Sequence, residues 1–275
     1  MELISGSKIA EEIKSALKLK NQGAGIMPQL AVIIVGDNEE SMVYVGLKEK
    51  AALSISARTS IKQLPASISK KELLAVIDEA NNDAAINGII IQLPLPEQLI
   101  PYQDQLLEAI KTEKDVDGFN PINRGKLIGG QAEFISCAAL ACMEVIHRYG
   151  PQGKNAVLVG DSFDLILPLA IMLAQQDFNV SLINEYQPEW VQKADILVVE
   201  KGRAGVVKGS DLRNGMLVID AGFYWEKGKT LGNVDKDSLL DQPGYLLPVP
   251  GGLGPMLIAK LMENLSQAAI KNRSS

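Results

Sequence analysis

Short apolar runs alternate with longer amphipathic stretches along the whole chain. Residues 30–35 are continuously apolar and are closed by Gly36-Asp37-Asn38, which predicts a buried strand followed by a turn. Before this run, residues 9–19 carry the apolar spacing of an amphipathic helix. After it, Ser41 is placed to cap a helix that runs into the 50s. Residues 55–63 predict a second strand, stopped at Leu64-Pro65, and Ser69-Lys70-Lys71-Glu72-Leu73 opens a helix towards Ala80. The run Gly88-Ile89-Ile90-Ile91-Gln92 predicts a fully buried strand that Pro94 and Pro96 terminate.

Residues 134–149 contain neither glycine nor proline and predict a long helix, stopped by Gly150-Pro151. A second alternation follows. Residues 156–159, 180–183, 196–199 and 216–219 predict strands, 165–176 a helix, and 257–271 a last helix. Strand and helix taken in turn predict an α/β fold with parallel sheets and right-handed crossovers. At 275 residues the chain has room for two domains, at about 150 residues each. We place an α/β domain with a parallel sheet at 1–120 and a Rossmann-like domain at 121–253.

Composition removes several function classes. Apolar residues at 47% suffice for ordinary cores. A net charge of -6 and a pI near 5.0 argue against a nucleic-acid partner. No apolar run reaches the length needed to span a bilayer, so no membrane partner is expected. Met1-Glu2-Leu3-Ile4-Ser5 lacks the pattern of a secretory signal, and a cytoplasmic location is expected. Cys137 and Cys142 have neither metal nor redox spacing and are expected to be small buried side chains on one helix. His147 is the single histidine, so a multi-histidine metal site is excluded, and no metal is expected.

Four stretches carry candidate chemistry. Tyr44 and Lys48 are four apart, so a helix sets phenol and ammonium side by side. Gln92 ends a predicted strand, and Lys114-Asp115-Val116-Asp117-Gly118-Phe119-Asn120 is an acidic turn. Parallel sheets bind ligands at the carboxyl ends of their strands, where Gln92 and Asp117 are expected to lie. The fourth stretch is Pro248-Val249-Pro250-Gly251-Gly252-Leu253-Gly254-Pro255-Met256.

Taken together and in this order, these stretches resemble the methylenetetrahydrofolate dehydrogenase–methenyltetrahydrofolate cyclohydrolase family over the whole chain. The resemblance implies that the lysine matching Lys48 acts in both reactions, supported by the residues matching Gln92 and Asp117. Lys48 would then carry a proton, Gln92 would hold it by accepting a hydrogen bond, and Asp117 would accept paired N–H groups from a pterin edge. Tyr44 would stack on folate, and Pro250, Gly251 and Gly252 would let backbone approach a flat ligand. The resemblance also implies that the first domain is catalytic and the second nucleotide-binding, with a tetrahydrofolate derivative as substrate, bound between the domains. It further implies a homodimer, and a C-terminal helix at 254–275 completing the first domain.

The cofactor half departs from the family pattern. Where the family reads Gly-(Arg or other)-Ser-x-x-Val-Gly-x-Pro, this chain reads Gly160-Asp161-Ser162-Phe163-Asp164-Leu165-Ile166-Leu167-Pro168. A second glycine is replaced by Ile166, expected to crowd a phosphate, and Asp161 stands where an arginine would meet the extra phosphate of NADP. A usual His-Ser pair is Asn184-Glu185, and a usual Pro-Cys-Thr-Pro is Ser136-Cys137-Ala138-Ala139. Val-Gly-x-Pro-Gly becomes Lys201-Gly202-Arg203-Ala204-Gly205, with Arg203 a candidate to offset the acids; Val-Gly-Ile becomes Ala221-Gly222-Phe223. Gly160, Asp161, Ser162 and Gly222 remain as the residues of a degenerate cofactor site, with NADP or NAD binding in doubt; Glu185 alone favours NAD through a ribose hydroxyl. The expected activity is therefore cyclohydrolase, with a fully bifunctional enzyme and a catalytically silent folate-binding subunit as alternatives.

Overall fold

The computed structural model describes residues 1–226, 228–239 and 242–274. In chain order the elements are β1 (Glu2–Leu3), α1 (Gly6–Ala24), β2 (Gln29–Val35), α2 (Glu39–Ser54), β3 (Arg58–Leu64), α3 (Lys70–Asn82) and β4 (Gly88–Ile91). Then come α4 (Gln103–Glu108), α5 (Pro121–Ile128), α6 (Cys137–Tyr149), β5 (Asn155–Val159), α7 (Ile166–Ala174), β6 (Asn179–Ile183), α8 (Pro188–Val191) and β7 (Ile196–Val199). The chain closes with β8 (Met216–Asp220), β9 (Tyr224–Glu226), β10 (Lys229–Leu231), β11 (Gly244–Leu247) and α9 (Leu253–Ser274). They form two compact units, one of residues 11–137 and 258–275, the other of residues 1–10 and 138–257.

The first of these units is built on a parallel three-stranded sheet in the order β3-β2-β4. β2 is central, and its run Leu-Ala-Val-Ile-Ile-Val is buried along its length, as a strand covered on both faces requires. Ile33, Ile89 and Ile91 pack with Leu73 and Ile77 of α3 and with Leu106 and Leu107 of α4. Each such side chain contributes about 1.5–3 kcal/mol by leaving water. Ser69 caps α3 in a reciprocal box with Glu72, whose carboxylate is held below its usual range by the Ser69 hydroxyl and backbone N–H. α2 starts two residues before Ser41. Its cap is Asn38, whose side chain accepts from the Ser41 backbone N–H at 2.9 Å, so Ser41 receives a cap rather than making one. β3 begins at Arg58 because residues 55–57 are used to close α2, with Ser56 at φ +60.

The other unit carries a parallel six-stranded sheet in the order β1-β11-β8-β7-β5-β6. The chain steps from β5 to β6 on one side, then returns to β7 on the other side of β5. That reversal makes the β5–β7 edge the topological switch point, where open α/β sheets bind ligands. β5, β7 and β8 are apolar inside up to Asp220 and build the second core, which includes Val159, Val199 and Val218. The Asp220 carboxylate, at the end of β8, is buried and accepts three backbone N–H groups, from Gly222, Asn233 and Val234. Burial nonetheless pushes its pKa above the usual carboxylate value.

Candidate functional site

The site in the three-stranded unit starts from α2 and the carboxyl end of β4. Lys48 lies on the buried side of α2 with 6% of its surface exposed. Gln92 follows β4 directly, and its backbone N–H donates to Ile33 O at 2.8 Å, which extends the ladder by one residue. The Lys48 ammonium donates to Gln92 Oε1 at 2.9 Å, while Gln92 Nε2 donates to Leu93 O at 2.7 Å. The amide is thereby fixed at both ends, and its oxygen is committed to the lysine. A buried ammonium needs such a partner, because an unpaired one costs several kcal/mol.

Asp117 belongs to the turn after Lys114 and is 8% exposed. The turn is built by its neighbours. The Asp115 carboxylate accepts from Phe119 N, Asn120 N and Asn123 Nδ2 at 2.9–3.0 Å. Burial outweighs these three bonds and raises the Asp115 pKa to about 7. Gly118 sits at φ +74, and a Cβ there would lie 2.3 Å from the carbonyl carbon of Ile135. Only glycine lets the acidic turn close on residues 135–136. Asn264 of α9 locks the same place by donating to Val116 O at 2.9 Å and Ile135 O at 3.2 Å. Asp115 is thus the internal frame, and Asp117 is the acid it presents.

Cys137 joins this group, which the sequence reading did not foresee. It is completely buried, and its single thiol hydrogen faces both Val116 O at 3.4 Å and the Asp117 carboxylate, either of which can accept it. Burial first, then the Asp117 charge, push its pKa well up, and the Lys48 charge acts against them. Lys48, Gln92, Asp117 and Cys137 therefore form one connected electrostatic group. The available signal was the position of Cys137 in Ser136-Cys137-Ala138-Ala139. Tyr44 stands one turn before Lys48 and is 39% exposed, with Met42, Val43 and Leu47 also exposed along α2. Of these, Tyr44 shares the helix face of Lys48 and offers a rest for a flat ring beside the lysine.

Pro250, Gly251 and Gly252 belong to the six-stranded unit. Gly251 has φ +86, and its carbonyl accepts from Ser7 N at 3.1 Å. A Cβ on Gly252 would meet Pro248 O at 2.1 Å, and one on Gly6 would meet Gly252 O at 2.0 Å. Close packing within the unit already demands Gly6 and Gly252, and the left-handed backbone favours glycine at 251. Gly222 has a similar reason, since its Cβ would meet Asn233 Oδ1 at 2.1 Å.

At the switch point, Gly160 ends β5 at φ +143. Ile166 is completely buried at the first position of α7. Its Cγ1 lies 3.0 Å from where a Cβ on Gly160 would be, so its side chain packs against the glycine at the turn. The Ser162 hydroxyl accepts from Ile166 N at 3.1 Å. Asp161 is paired with Lys201 at 3.0 Å, so the offsetting cation is Lys201 rather than Arg203. The group that the sequence reading passed over is Glu200, directly after β7. Its carboxylate accepts from both the hydroxyl and the backbone N–H of Ser162, and burial raises its pKa to about 7.

Two family models match the chain. Residues 4–117 match the catalytic domain of tetrahydrofolate dehydrogenase/cyclohydrolase, and residues 136–273 match the NAD(P)-binding domain. The chain is 54% identical to the bifunctional protein FolD 1 of Syntrophomonas wolfei over 99% of its own length and 100% of the relative's. Among solved structures, it is 38% identical to the bifunctional FolD methylenetetrahydrofolate dehydrogenase/cyclohydrolase of Campylobacter jejuni, with a TM-score of 0.93 and 99% of both chains covered. It is 31% identical to the Trypanosoma brucei N5,N10-methylenetetrahydrofolate dehydrogenase-cyclohydrolase, solved with NADP and an inhibitor, with a TM-score of 0.89 over 99% of this chain and 97% of that one.

Proposed function

Since the chain belongs to the tetrahydrofolate dehydrogenase/cyclohydrolase family, we propose that it is a bifunctional enzyme of folate one-carbon metabolism. It oxidises 5,10-methylenetetrahydrofolate to the methenyl form and hydrolyses that form to 10-formyltetrahydrofolate. The full-length likeness to bifunctional relatives supports both activities, and favours them over a hydrolase alone. The observation that carries the hydrolytic half is the Lys48–Gln92 hydrogen bond of 2.9 Å at the carboxyl end of β4.

The chemistry follows from what that pair can do. The methenyl carbon bridges two nitrogens and shares their positive charge, so water adds to it readily once its proton has somewhere to go. Lys48 in its neutral amine form takes that proton on Nζ, with Gln92 Oε1 accepting one of its N–H groups and holding the nitrogen in place. The adduct then breaks its bond to N5: Nζ returns the proton to N5, and the hydroxyl oxygen becomes the formyl carbonyl on N10 as its own proton leaves to water. Asp117 accepts N–H groups from the pterin edge and sets the bridge carbon against Nζ. Tyr44 supports the ring from the exposed side of α2.

The dinucleotide half calls for a test of fit. A phosphate at the Gly160 turn would need the donors of Ser162, and Glu200 already holds them. Asp161 and Asp164 add like charges at the same turn. In this arrangement the turn residues do not fit a phosphate, and no step of the hydride transfer is derived through it. This acidity is also the one observation that favours the second reading, a cyclohydrolase without redox activity. A spectrophotometric assay separates the two. Loss of methenyltetrahydrofolate absorbance in the near ultraviolet reports hydrolysis. Its appearance from the methylene form with NADP or NAD reports the dehydrogenase, and its absence with both would leave the hydrolase reading.

A further inference from the structure

The β5–β7 edge is where a Rossmann-like sheet receives the phosphates of a dinucleotide, on glycine backbone and helix N-terminal amides. In this chain the position already holds an anion. Glu200 leaves β7 with its backbone N–H bonded to Val159 O at 3.0 Å, so it starts level with the last residue of β5. Its Oε2 lies 2.8 Å from where a Cβ on Gly160 would be, in the space that the missing side chain leaves beside Ile166 Cγ1. Its carboxylate takes the Ser162 hydroxyl and the Ser162 backbone N–H. A carboxylate resting on a glycine and holding two turn donors makes the contacts that a phosphate oxygen would make.

We propose that Glu200 is an internal occupant of the phosphate position and is the residue that sets dinucleotide affinity in this chain. The inference rests on the bifunctional reading. A dinucleotide binds only as the Glu200 carboxylate leaves the turn or becomes neutral.

The charges around Glu200 make its protonation matter. Asp161 and Asp164 face it from the β5–α7 turn, Lys201 follows it and is engaged by Asp161, and the buried Cys142 thiol faces it from α6. Asp164 is itself pushed up by burial and competes with Glu200 for the single Ser162 hydroxyl proton. Burial is the largest cause of the raised Glu200 pKa, so the acid changes charge at about 7. Above that value the turn is occupied by an ion; below it, by a neutral carboxyl that a phosphate can displace or accept a bond from. Affinity therefore rises as pH falls through about 7, by at most about tenfold per pH unit for one proton.

The test is a calorimetric titration of the full chain with NADH, whose bridging phosphates take up no proton in this range. The unmodified protein, Glu200→Ala and Glu200→Gln are compared at about pH 6 and about pH 8. Circular dichroism checks that each is folded. Glu200→Gln retains the volume should the alanine variant fail to fold. The expected result is stronger binding by the unmodified protein at the lower pH, and binding by both variants that is about tenfold tighter at the higher pH and nearly independent of pH. NADH binding that is flat with pH in the unmodified protein, or that neither variant strengthens, overturns the role of Glu200 and leaves the bifunctional reading intact. No binding of NADH or NADPH by any form at either pH overturns both the role and the dehydrogenase half of the proposed function.

Discussion

The ammonium of Lys48 donates to Oε1 of Gln92 across 2.9 Å, although 44 residues separate the two in the chain. β2 makes the meeting possible. α2 follows β2 in sequence, and Gln92 extends the β2–β4 ladder through its bond to Ile33 O. The helix and the strand end are thereby anchored to the same central strand.

Replacing Lys48 by methionine retains the length of the side chain and removes its proton. Cyclohydrolase turnover should fall about a hundred- to ten-thousandfold, the usual contribution of a positioned acid or base. The far-ultraviolet circular dichroism should be unchanged. Turnover near that of the unmodified enzyme would assign the proton transfer to another group.

Asp115 and Asp117 stand two residues apart and should respond differently. Asp117→Ala should weaken binding of a folate substrate while the protein stays folded, since Asp117 is the presented acid. Asp115→Asn should destabilise by about 1–3 kcal/mol, because an amide sets donors against the N–H groups that the carboxylate satisfies. Denaturant unfolding and a folate titration of both variants check the contrast. Equal loss of stability in the two would show that both acids are framework.

The raised acids also set a direction for stability against pH. Asp115 and Glu200 each have a folded pKa near 7, above their ordinary values of 3.8 and 4.5. The folded state therefore holds these protons more tightly than the unfolded chain. The stabilisation they give is complete below about 4 and is lost as pH rises through about 7, at no more than about 1.4 kcal/mol per pH unit for each group. Unfolding in urea should show stability falling between about pH 5 and pH 8, with a shallower fall in Glu200→Gln. A steeper fall in that variant would contradict the assignment.

Cys137 and Cys142 are both completely buried, and burial raises both thiols above their usual range. The thiolate is the reactive form, so neither should be alkylated by iodoacetamide in the native protein at about pH 8. Both should react once the chain is unfolded. Mass spectrometry of the native sample would expose an error here, as fast labelling of Cys137 would mean that the group around Lys48 is open to solvent.

Asp161 and Lys201 are both more than half exposed, so their ion pair is screened and should contribute no more than about 1 kcal/mol. A double-mutant cycle to alanine at both positions measures it. A larger coupling would mean that this pair, and not Glu200, organises the turn.

Much of the fold follows from local pattern. The apolar runs that became β2, β4, β5, β7 and β8, and the capping box at Ser69, are visible without coordinates because burial and capping write themselves into neighbouring residues. The four-residue step from Tyr44 to Lys48 and the amide at the end of β4 were equally readable. Other features required the folded chain. β1 is two residues long and exists by pairing with β11, more than 240 positions away, so no local period announces either strand. Asn38 rather than Ser41 caps α2 because the entry angle of the chain, not residue type, chooses between two good capping side chains. Ile166 could be seen as a bulky residue at a phosphate turn, but only packing sets its Cγ1 against Gly160 beside Glu200. Cys137 joins Asp117 because α6 starts against the acidic turn, and Glu200 lies over Gly160 through the parallel pairing of β5 and β7. Residue identity sets what a side chain can do. Direction and neighbours arise from long-range packing, and these decide whether an acid faces water, a backbone N–H or the place of a ligand.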